Sequence, residues 1–206
     1  MIPLMVDFTG RKVIIFGGGA VGARKARYFV EEADVTVYSR SFHPDFSSIP
    51  VRQEVLDLSP DAYSICPLIQ DSALVIAATS DPDLNNIIRE ASESVHVFCN
   101  VASGNPGDVF LPAKVTGKKF TLAISTIGSV PAVSRLIREE MEKTFPDMDE
   151  LIELGEWIRE SFSTDHADPI SGQSILYTAL RDPETRKALS KGQMNAREYI
   201  RERYGS

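Results

Sequence analysis

Three glycines spaced as G-x-G-x-x-G, Gly17, Gly19 and Gly22, are the residues of this chain whose spacing points most directly to a chemical task. They follow the apolar run Val13–Phe16 and open an amphipathic stretch, so they connect a buried strand to a helix. In such a turn the first glycine permits a tight bend, the second lets the backbone approach a pyrophosphate, and the third allows the helix to pack closely on the strand. The N–H groups at the start of the helix attract phosphates. The pattern predicts a dinucleotide-binding turn, with a purely structural turn as the alternative.

The end of the second predicted strand lacks the acid that usually holds the ribose hydroxyls of NAD. Ser39 and Arg40 occupy that place instead. An arginine here accepts the extra phosphate of NADP, stacks on the adenine, or simply lies solvated at the surface. These residues alone leave NAD and NADP both open as cofactors.

The composition limits which partners and compartments fit this chain of 206 residues. Its formal net charge of -7 predicts no binding to nucleic acid or to an anionic membrane surface. Two cysteines, Cys66 and Cys99, are too few for a disulfide framework and favour a reducing, cytoplasmic location. We identify neither a signal peptide nor an apolar run long enough to span a membrane.

Elements that position the glycine turn follow from hydrophobic patterning. Buried strands alternate with helices through the first half of the chain, which predicts an α/β fold with a Rossmann-like, doubly wound parallel sheet. The predicted strands are Val13–Phe16, Asp34–Ser39, Ala73–Thr79 and Val95–Val101, with a helix after the glycine turn and another over Pro82–Ser94.

The pattern changes near Pro112. A strand over Lys118–Thr126 precedes a helix for which Ser129 is the predicted cap and Pro131 the first turn. The spacing predicts surface pairs between Arg138 and Glu142 and between Glu139 and Lys143, and Pro146 marks the end of this helix. Only helical patterns follow. We therefore predict three parts: a dinucleotide-binding domain over 1–113, a strand-helix segment over 114–146, and a small helical domain over 147–206.

Several other catalytic constellations are absent from the sequence. There is no Tyr-x-x-x-Lys pair, which argues against a short-chain dehydrogenase, and no Cys/His cluster with metal-ligand spacing. The histidines, His43, His96 and His166, are scattered, and each is interpreted as a surface or packing residue. Cys99 ends an apolar strand and is predicted to be a small buried side chain. Cys66 precedes a proline in a predicted loop.

Four ordered blocks resemble the precorrin-2 dehydrogenase family, whose module also forms the N-terminal part of siroheme synthase. The blocks are MVDFTGRKVIIFGGGAVGARKARYF, LVIAATSDPDLNNII, CNVASGNPGDVFLPA and TLAISTIGSVPAVSRLIREEMEKTFP, and they cover residues 3–146. The resemblance implies NAD-dependent oxidation of precorrin-2 to sirohydrochlorin. It also implies a homodimer formed through the strand-helix segment, and some family members insert ferrous iron as well.

The resemblance also implies which residues meet cofactor and substrate. The cofactor residues lie in the glycine turn and at the ends of later strands: Gly17, Gly19, Ala20, Val21, Gly22, Ser39, Arg40, Thr79 and Asn100. The substrate side is a turn with the helix that follows it: Ser125, Thr126, Gly128 and Arg135, with Arg138 one turn later. Arginine suits substrate carboxylates, and an exposed ion-paired face is the alternative for both arginines.

One position departs from the family pattern. Where the family has an aspartate credited with acid–base work, this chain has Ser103, and the nearest acid is Asp108. Either Asp108 acts as the base, or Ser103 suffices with water, or the site is inactive in one or both reactions. The departure bears most on metal insertion, which needs two pyrrole protons removed. It also motivates a second hypothesis, a non-catalytic module that binds tetrapyrrole or NAD(P). An unrelated carbonyl reductase would explain only the glycine turn.

Overall fold

The computed structural model describes residues 2–58, 60–102, 107–126, 130–162 and 175–205. The chain divides into two compact units, Met1–Leu111 and Pro112–Ser206. Each unit is treated by itself below. The predicted further division of the second part at residue 146 stays a prediction.

The first unit is built on a five-stranded parallel sheet in the order β3-β2-β1-β4-β5. Its strands are β1 Lys12–Phe16, β2 Asp34–Ser39, β3 Arg52–Val55, β4 Leu74–Ala77 and β5 Phe98–Val101. Its helices are α1 Ala20–Phe29, α2 Ala62–Ile69 and α3 Pro82–Ser94, with a short 3-10 helix at Pro44–Ser48. The predicted doubly wound parallel sheet is confirmed.

The central strand β1 is buried on both faces, as parallel sheets covered by helices require. Val13 and Ile15 belong to one apolar cluster, and Ile14 and Phe16 belong to another on the opposite face. Helix α1 covers the first cluster with Ala23, Ala26 and Phe29, whereas α2 and α3 cover the second with Ile65, Ile69, Ile88 and Ala91. Burial on both faces explains why β1 reads as a continuous apolar run.

Helix α2 corrects the prediction that Cys66 lies in a loop. Cys66 is inside the helix and directly precedes Pro67, a residue that costs a helix interior about 3 kcal/mol. The side chain of Asp61 caps the helix by accepting from the Ser64 N–H at 2.9 Å. Ile65 and Ile69 are fully buried, and their packing offsets the cost of the proline.

The second unit begins with an antiparallel hairpin, β6 Ala113–Thr116 and β7 Thr121–Ile124. The single predicted strand over Lys118–Thr126 was wrong in extent, because its first residues form the hairpin turn. Asp149 holds this turn, since its carboxylate accepts from the N–H groups of Lys118 and Lys119 at 2.9 and 2.8 Å.

Helix α4, Pro131–Thr144, has Pro131 in its first turn as predicted, and it ends shortly before Pro146. Val130 occupies the N-cap position, so the prediction of Ser129 as the cap was wrong, and Ser129 itself lies outside the described residues. Two other predictions concern surface pairs. The pair of Arg138 with Glu142 is confirmed at 2.7 Å.

The predicted pair of Glu139 with Lys143 is not an ion pair of the described structure. Glu139 accepts instead from Arg135, at 3.0 Å, and Lys143 pairs with Glu140 at 3.1 Å. All of these positions are three or four residues apart on one helix, so the same spacing rule allowed either set of partners.

The described residues after α4 form four further helices: α5 Met148–Ser161, α6 Ile175–Arg181, α7 Pro183–Leu189 and α8 Gln193–Tyr204. They enclose a core of Leu154, Ile158, Ala179, Leu189, Ala196 and Ile200. Asp182, between α6 and α7, ties α8 to this group. Its Oδ2 accepts from the hydroxyls of Tyr199 and Tyr204 at 2.7 and 2.9 Å, and its Oδ1 accepts from the Glu184 N–H at 3.0 Å.

The hydrogen bonds from the two tyrosine hydroxyls to Asp182 make the stability of this unit depend on pH. The bond from Tyr199 is the main cause that lowers the pKa of Asp182, and the same bond raises the pKa of Tyr199. A carboxylate with a lowered pKa stabilises the fold above its unfolded pKa of about 3.9, and this contribution is lost as pH falls through the folded value.

We expect Asp182→Asn to lower the thermal midpoint of the second unit by a few degrees at pH 7. The deficit should narrow as pH falls below about 4, where the carboxyl group of the unfolded chain becomes protonated, and it should vanish once the pH is below the lowered pKa of Asp182 in the folded protein. Trp157 is the only tryptophan and packs against the helical core, so its fluorescence reports unfolding of this unit. The matched control is Glu198→Gln, an exposed carboxylate on α8. Equal deficits for both variants would contradict the role of Asp182.

Candidate active site

The glycine turn between β1 and α1 has the geometry that its spacing predicts. Gly17 has a φ of +117°, and a Cβ there would lie 2.3 Å from the carbonyl oxygen of Ala78. A Cβ on Gly22 would lie 1.9 Å from the Gly17 oxygen, so only glycine lets α1 pack on the turn. At Gly19 an added Cβ meets nothing within 4 Å. The first and third glycines are required by packing, and the second leaves open space in front of the helix.

The N-terminus of α1 is suited to an anion. Gly19 is the N-cap, no side chain caps the helix, and its first turn holds no acidic residue. The first hydrogen bond of the helix runs from the Ala23 N–H to the Gly19 oxygen at 3.0 Å, so the N–H groups of Ala20 and Val21 have no acceptor within the helix. Unpaired N–H groups and the positive end of the helix dipole fit a pyrophosphate.

The segment after β2 packs beside the same turn. The Gly17 N–H donates to the Tyr38 oxygen at 2.9 Å, and the His43 N–H donates to the Gly18 oxygen at 2.7 Å. A Cβ on Gly18 would lie 2.9 Å from the Cβ of Ser39. This packing brings Ser39 next to the turn, with Arg40 directly after it, where the resemblance expects the adenosine end.

Thr79 lies in the loop after β4, on the other side of the turn. Asn85 fixes this loop: its Oδ1 accepts from the Thr79 N–H at 3.1 Å and from the Thr79 hydroxyl at 2.8 Å. Its Nδ2 donates back to the Thr79 oxygen at 3.1 Å. Asn85 is fully buried, and the sequence analysis missed it. A polar residue in line with the apolar positions Ile88 and Ala91 was the available signal.

Asn100, near the end of β5, is 6% exposed. Its Nδ2 donates to the Val109 oxygen at 2.6 Å. Its Oδ1 is buried without a hydrogen-bond partner in the part of the chain that the structure describes. A buried acceptor without a partner costs free energy unless a ligand or water satisfies it. Asn100 therefore has an acceptor available near the carboxyl ends of the strands, the end of the sheet at which the glycine turn lies.

Asp108 has a structural partner. Its Oδ2 accepts from the N–H of Cys99, the second residue of β5, at 3.2 Å. The chain around it runs back along the strand, with the Val109 N–H bonded to the Cys99 oxygen at 3.2 Å. The carboxylate thus lies toward the first half of β5 rather than at its carboxyl end. Ser103 lies outside the described residues.

Among the described residues, Cys99 is buried, whereas His43 and His96 are exposed. Cys99 is buried as predicted, and burial raises its thiol pKa to about 11, so it is protonated at neutral pH. The Nδ1 of His43 accepts from the Asp45 N–H at the start of the 3-10 helix, and His96 forms a turn with a φ of 58°. His166 lies outside the described residues.

The predicted substrate residues belong to the second unit. The Thr126 hydroxyl donates to the Val130 oxygen and lies 3.1 Å from the Ser134 hydroxyl, which joins the end of the hairpin to α4. Arg135 is exposed, and its Nε donates to Glu139 at 3.0 Å. Ser125 is the residue before Thr126 and follows β7. Gly128 lies outside the described residues.

The described residues form neither a metal-binding cluster nor a membrane-spanning helix. No three His, Cys, Asp or Glu side chains in that part of the chain are grouped to hold a metal ion. None of the helices described there combines the length and apolar character needed to cross a membrane.

Known proteins are similar to this chain over its first part and over nearly all of its length. A family model described as "Putative NAD(P)-binding" matches residues 4–113. The precorrin-2 dehydrogenase of Methanosarcina barkeri is 32% identical over 203 residues, which cover 96% of this chain and 90% of that protein. The siroheme synthase of Salmonella typhi is 33% identical over 147 residues, 70% of this chain and 32% of that longer protein.

A solved structure described as SirC, precorrin-2 dehydrogenase, supports the fold. It matches with a TM-score of 0.70 at 21% identity, over 98% of this chain and 100% of that one. The fold agrees along nearly the whole chain, and the sequence relative from Methanosarcina barkeri covers almost the same length. The chain belongs to the precorrin-2 dehydrogenase family.

Proposed function

We propose that this chain oxidises precorrin-2 to sirohydrochlorin with NAD as the hydride acceptor. The observation that carries the proposal is the glycine turn in front of an uncapped helix. It lies in a chain that is 32% identical, over nearly all its length, to a protein named precorrin-2 dehydrogenase. The turn offers a binding place for the dinucleotide, and the name of the relative indicates the substrate.

In this proposal the chain's own residues hold the dinucleotide in one orientation. The N–H groups of Ala20 and Val21 hold the pyrophosphate, and the open space at Gly19 lets it approach. Ser39 and Arg40 lie toward the adenosine. Thr79 and Asn100 lie toward the nicotinamide end, where Asn85 keeps the Thr79 loop in place.

NAD, when bound, accepts a hydride from the tetrapyrrole, and the second hydrogen leaves as a proton. The protein's part is to align the two partners, exclude competing reactions and receive that proton. We propose Ser103 with water as the route for the proton rather than Asp108, because the hydrogen bond from the Cys99 N–H holds the Asp108 carboxylate toward the first half of β5. Insertion of iron into the product is not part of the proposal.

A second candidate function is a module that binds the tetrapyrrole or NAD(P) without turning over. Two observations favour it: a serine stands where the family has its acid, and the nearest carboxylate holds a strand. The two functions differ in a single measurable respect, which is the formation of product.

We also propose that the protein is a homodimer through α4. Leu136 and Ile137 follow Val133 by three and four residues on this helix, and the three side chains are 58, 38 and 41% exposed. Val130, just before the helix, and Leu122 on β7 are likewise exposed. An apolar stripe of this kind is typical of a surface that another molecule covers. The family resemblance implies that this molecule is a second copy of the chain. We place the reaction in the cytoplasm, which suits the two free cysteines.

Anaerobic incubation of the protein with precorrin-2 and NAD should give the absorption spectrum of sirohydrochlorin. Gly19→Val should abolish turnover and weaken NAD binding at least tenfold, about 1.4 kcal/mol. The new side chain enters the space proposed for the pyrophosphate, and its Cβ meets no heavy atom within 4 Å apart from the adjoining residues of the chain. Its circular dichroism should match the wild type, whereas Gly17→Val should also destabilise the fold. Tight binding of the tetrapyrrole without product would support the second candidate function instead.

Asp108→Asn should keep kcat within tenfold of the wild type, because an amide oxygen can still accept from the Cys99 N–H. A general base contributes about 10²- to 10⁴-fold, so a loss of that size would assign the base to Asp108 and contradict the proposed route. Asp108→Ala, which removes the acceptor, should destabilise the first unit by about 1 kcal/mol. Urea unfolding measures this difference.

Leu136→Glu should convert the dimer to a monomer, because a charge would be buried at the interface. Light scattering after size-exclusion chromatography measures the mass. Met194→Glu is the matched control, since Met194 is an equally apolar side chain, 75% exposed, on α8. A wild-type monomer, or a Leu136→Glu variant that remains dimeric, would contradict the proposed interface.

A further inference from the structure

Two exposed side chains of opposite charge lie at the ends of neighbouring strands. Arg40 follows β2, and Asp57 follows β3, the edge strand of the sheet. The Arg40 Nε is 3.8 Å from the Asp57 Oδ1, and the two side chains are 74 and 80% exposed. A backbone bond from the Leu56 N–H to the Ser39 oxygen, at 3.0 Å, fixes the two chain segments beside each other.

This pair lies next to the glycine turn. A Cβ on Gly18 would meet the Ser41 oxygen at 2.3 Å as well as Ser39. The residues on both sides of Arg40 therefore touch the turn itself. In a sheet of this type, the residues that follow β2 are those that meet the ribose of the adenosine.

The charges at this place decide which dinucleotide fits. An acid after β2 accepts hydrogen bonds from the ribose hydroxyls of NAD, and an arginine there accommodates the 2′-phosphate of NADP. Here β2 ends in Ser39 and Arg40, which by themselves would favour the phosphate. Asp57 brings a carboxylate to the same place from the next strand.

We propose that Asp57 is the residue that selects NAD over NADP. Its carboxylate lies 3.8 Å from the Arg40 guanidinium and offsets part of the positive charge there, and a 2′-phosphate of about -1.5 to -2 charges held by Arg40 would lie against this carboxylate. The hydroxyls of an unmodified ribose meet no such repulsion and can donate to the carboxylate. The fingerprint acid of the fold is thus supplied from β3 instead of β2. The inference rests on the proposed placement of the dinucleotide at the glycine turn.

The test compares the dissociation constants of NADH and NADPH, measured by nucleotide fluorescence at low ionic strength, where exposed charges are least screened. Wild-type protein should bind NADH more tightly. Asp57→Asn should tighten NADPH binding about tenfold and leave NADH within a few-fold. In the double variant Arg40→Gln, Asp57→Asn the gain for NADPH should disappear, because the phosphate then has no cation.

Asp71→Asn is the matched control for the change in net charge. Asp71 is exposed and precedes β4, so it lies at the amino ends of the strands, whereas the glycine turn lies at their carboxyl ends. This variant should leave the ratio of the two dissociation constants unchanged.

An unchanged ratio in Asp57→Asn, with NADH still bound, overturns the inference while the proposed cofactor site stands. A gain for NADPH that persists without Arg40 overturns it as well, since the pair would then have no part in selection. Wild-type protein that binds neither nucleotide removes both this inference and the proposed site. Because binding alone is measured, a failure to oxidise the tetrapyrrole is a separate result.

Discussion

The turn after β1 and the loop after β4 approach each other so closely that no side chain fits between them. Any Cβ at Gly17 would overlap the carbonyl group of Ala78, and the positive φ of Gly17 adds strain for every other residue. The two strands that carry these loops are neighbours at the centre of the sheet. The floor of the candidate site is therefore made of backbone, whose position the sheet sets.

The side chains around this floor chiefly keep backbone groups in place. Asn85 holds the Thr79 loop, and Asp108 holds the returning chain against β5. Among the described residues, the groups available to a ligand include the first N–H groups of α1, the Oδ1 of Asn100 and the exposed pair of Arg40 and Asp57. Such a division suits an oxidoreductase whose cofactor supplies the redox chemistry, because the protein then has to orient two partners rather than react.

The sequence predicts the elements whose signals are local and misses those that depend on distant partners. The bounds of β2 and α3 agree with the structure because Asp81 and Pro82 mark the helix start and Asp34–Ser39 is a clear β-branched run. The strand β3, with the sequence RQEV, has no apolar alternation and exists because it pairs with β2. Helix α2 forms around Pro67 because its isoleucines reach the core.

The site residues also divide into those that a local sequence pattern predicts and those that depend on distant partners. The glycine spacing alone predicted the turn and the roles of its three glycines in the geometry. The Asn85 clamp, the backbone bond of Asp108 and the pairing of Arg40 with Asp57 join residues that no local pattern connects. The roles of the predicted residues toward cofactor and substrate stay predictions, as does the dimer.

The strand order also determines when the site can form during synthesis. Val13 of β1 pairs with Leu74 of β4, and α1, β2, β3 and α2 all lie between them in the chain. Until β4 has left the ribosome, β1 lacks one of its two neighbours and the glycine turn has no opposing loop. Such non-local pairing slows folding and leaves apolar strands exposed in the interim. A nascent chain stopped before residue 74 would thus present β1 with one of its two edges unpaired, because β4 is the strand that pairs with that edge.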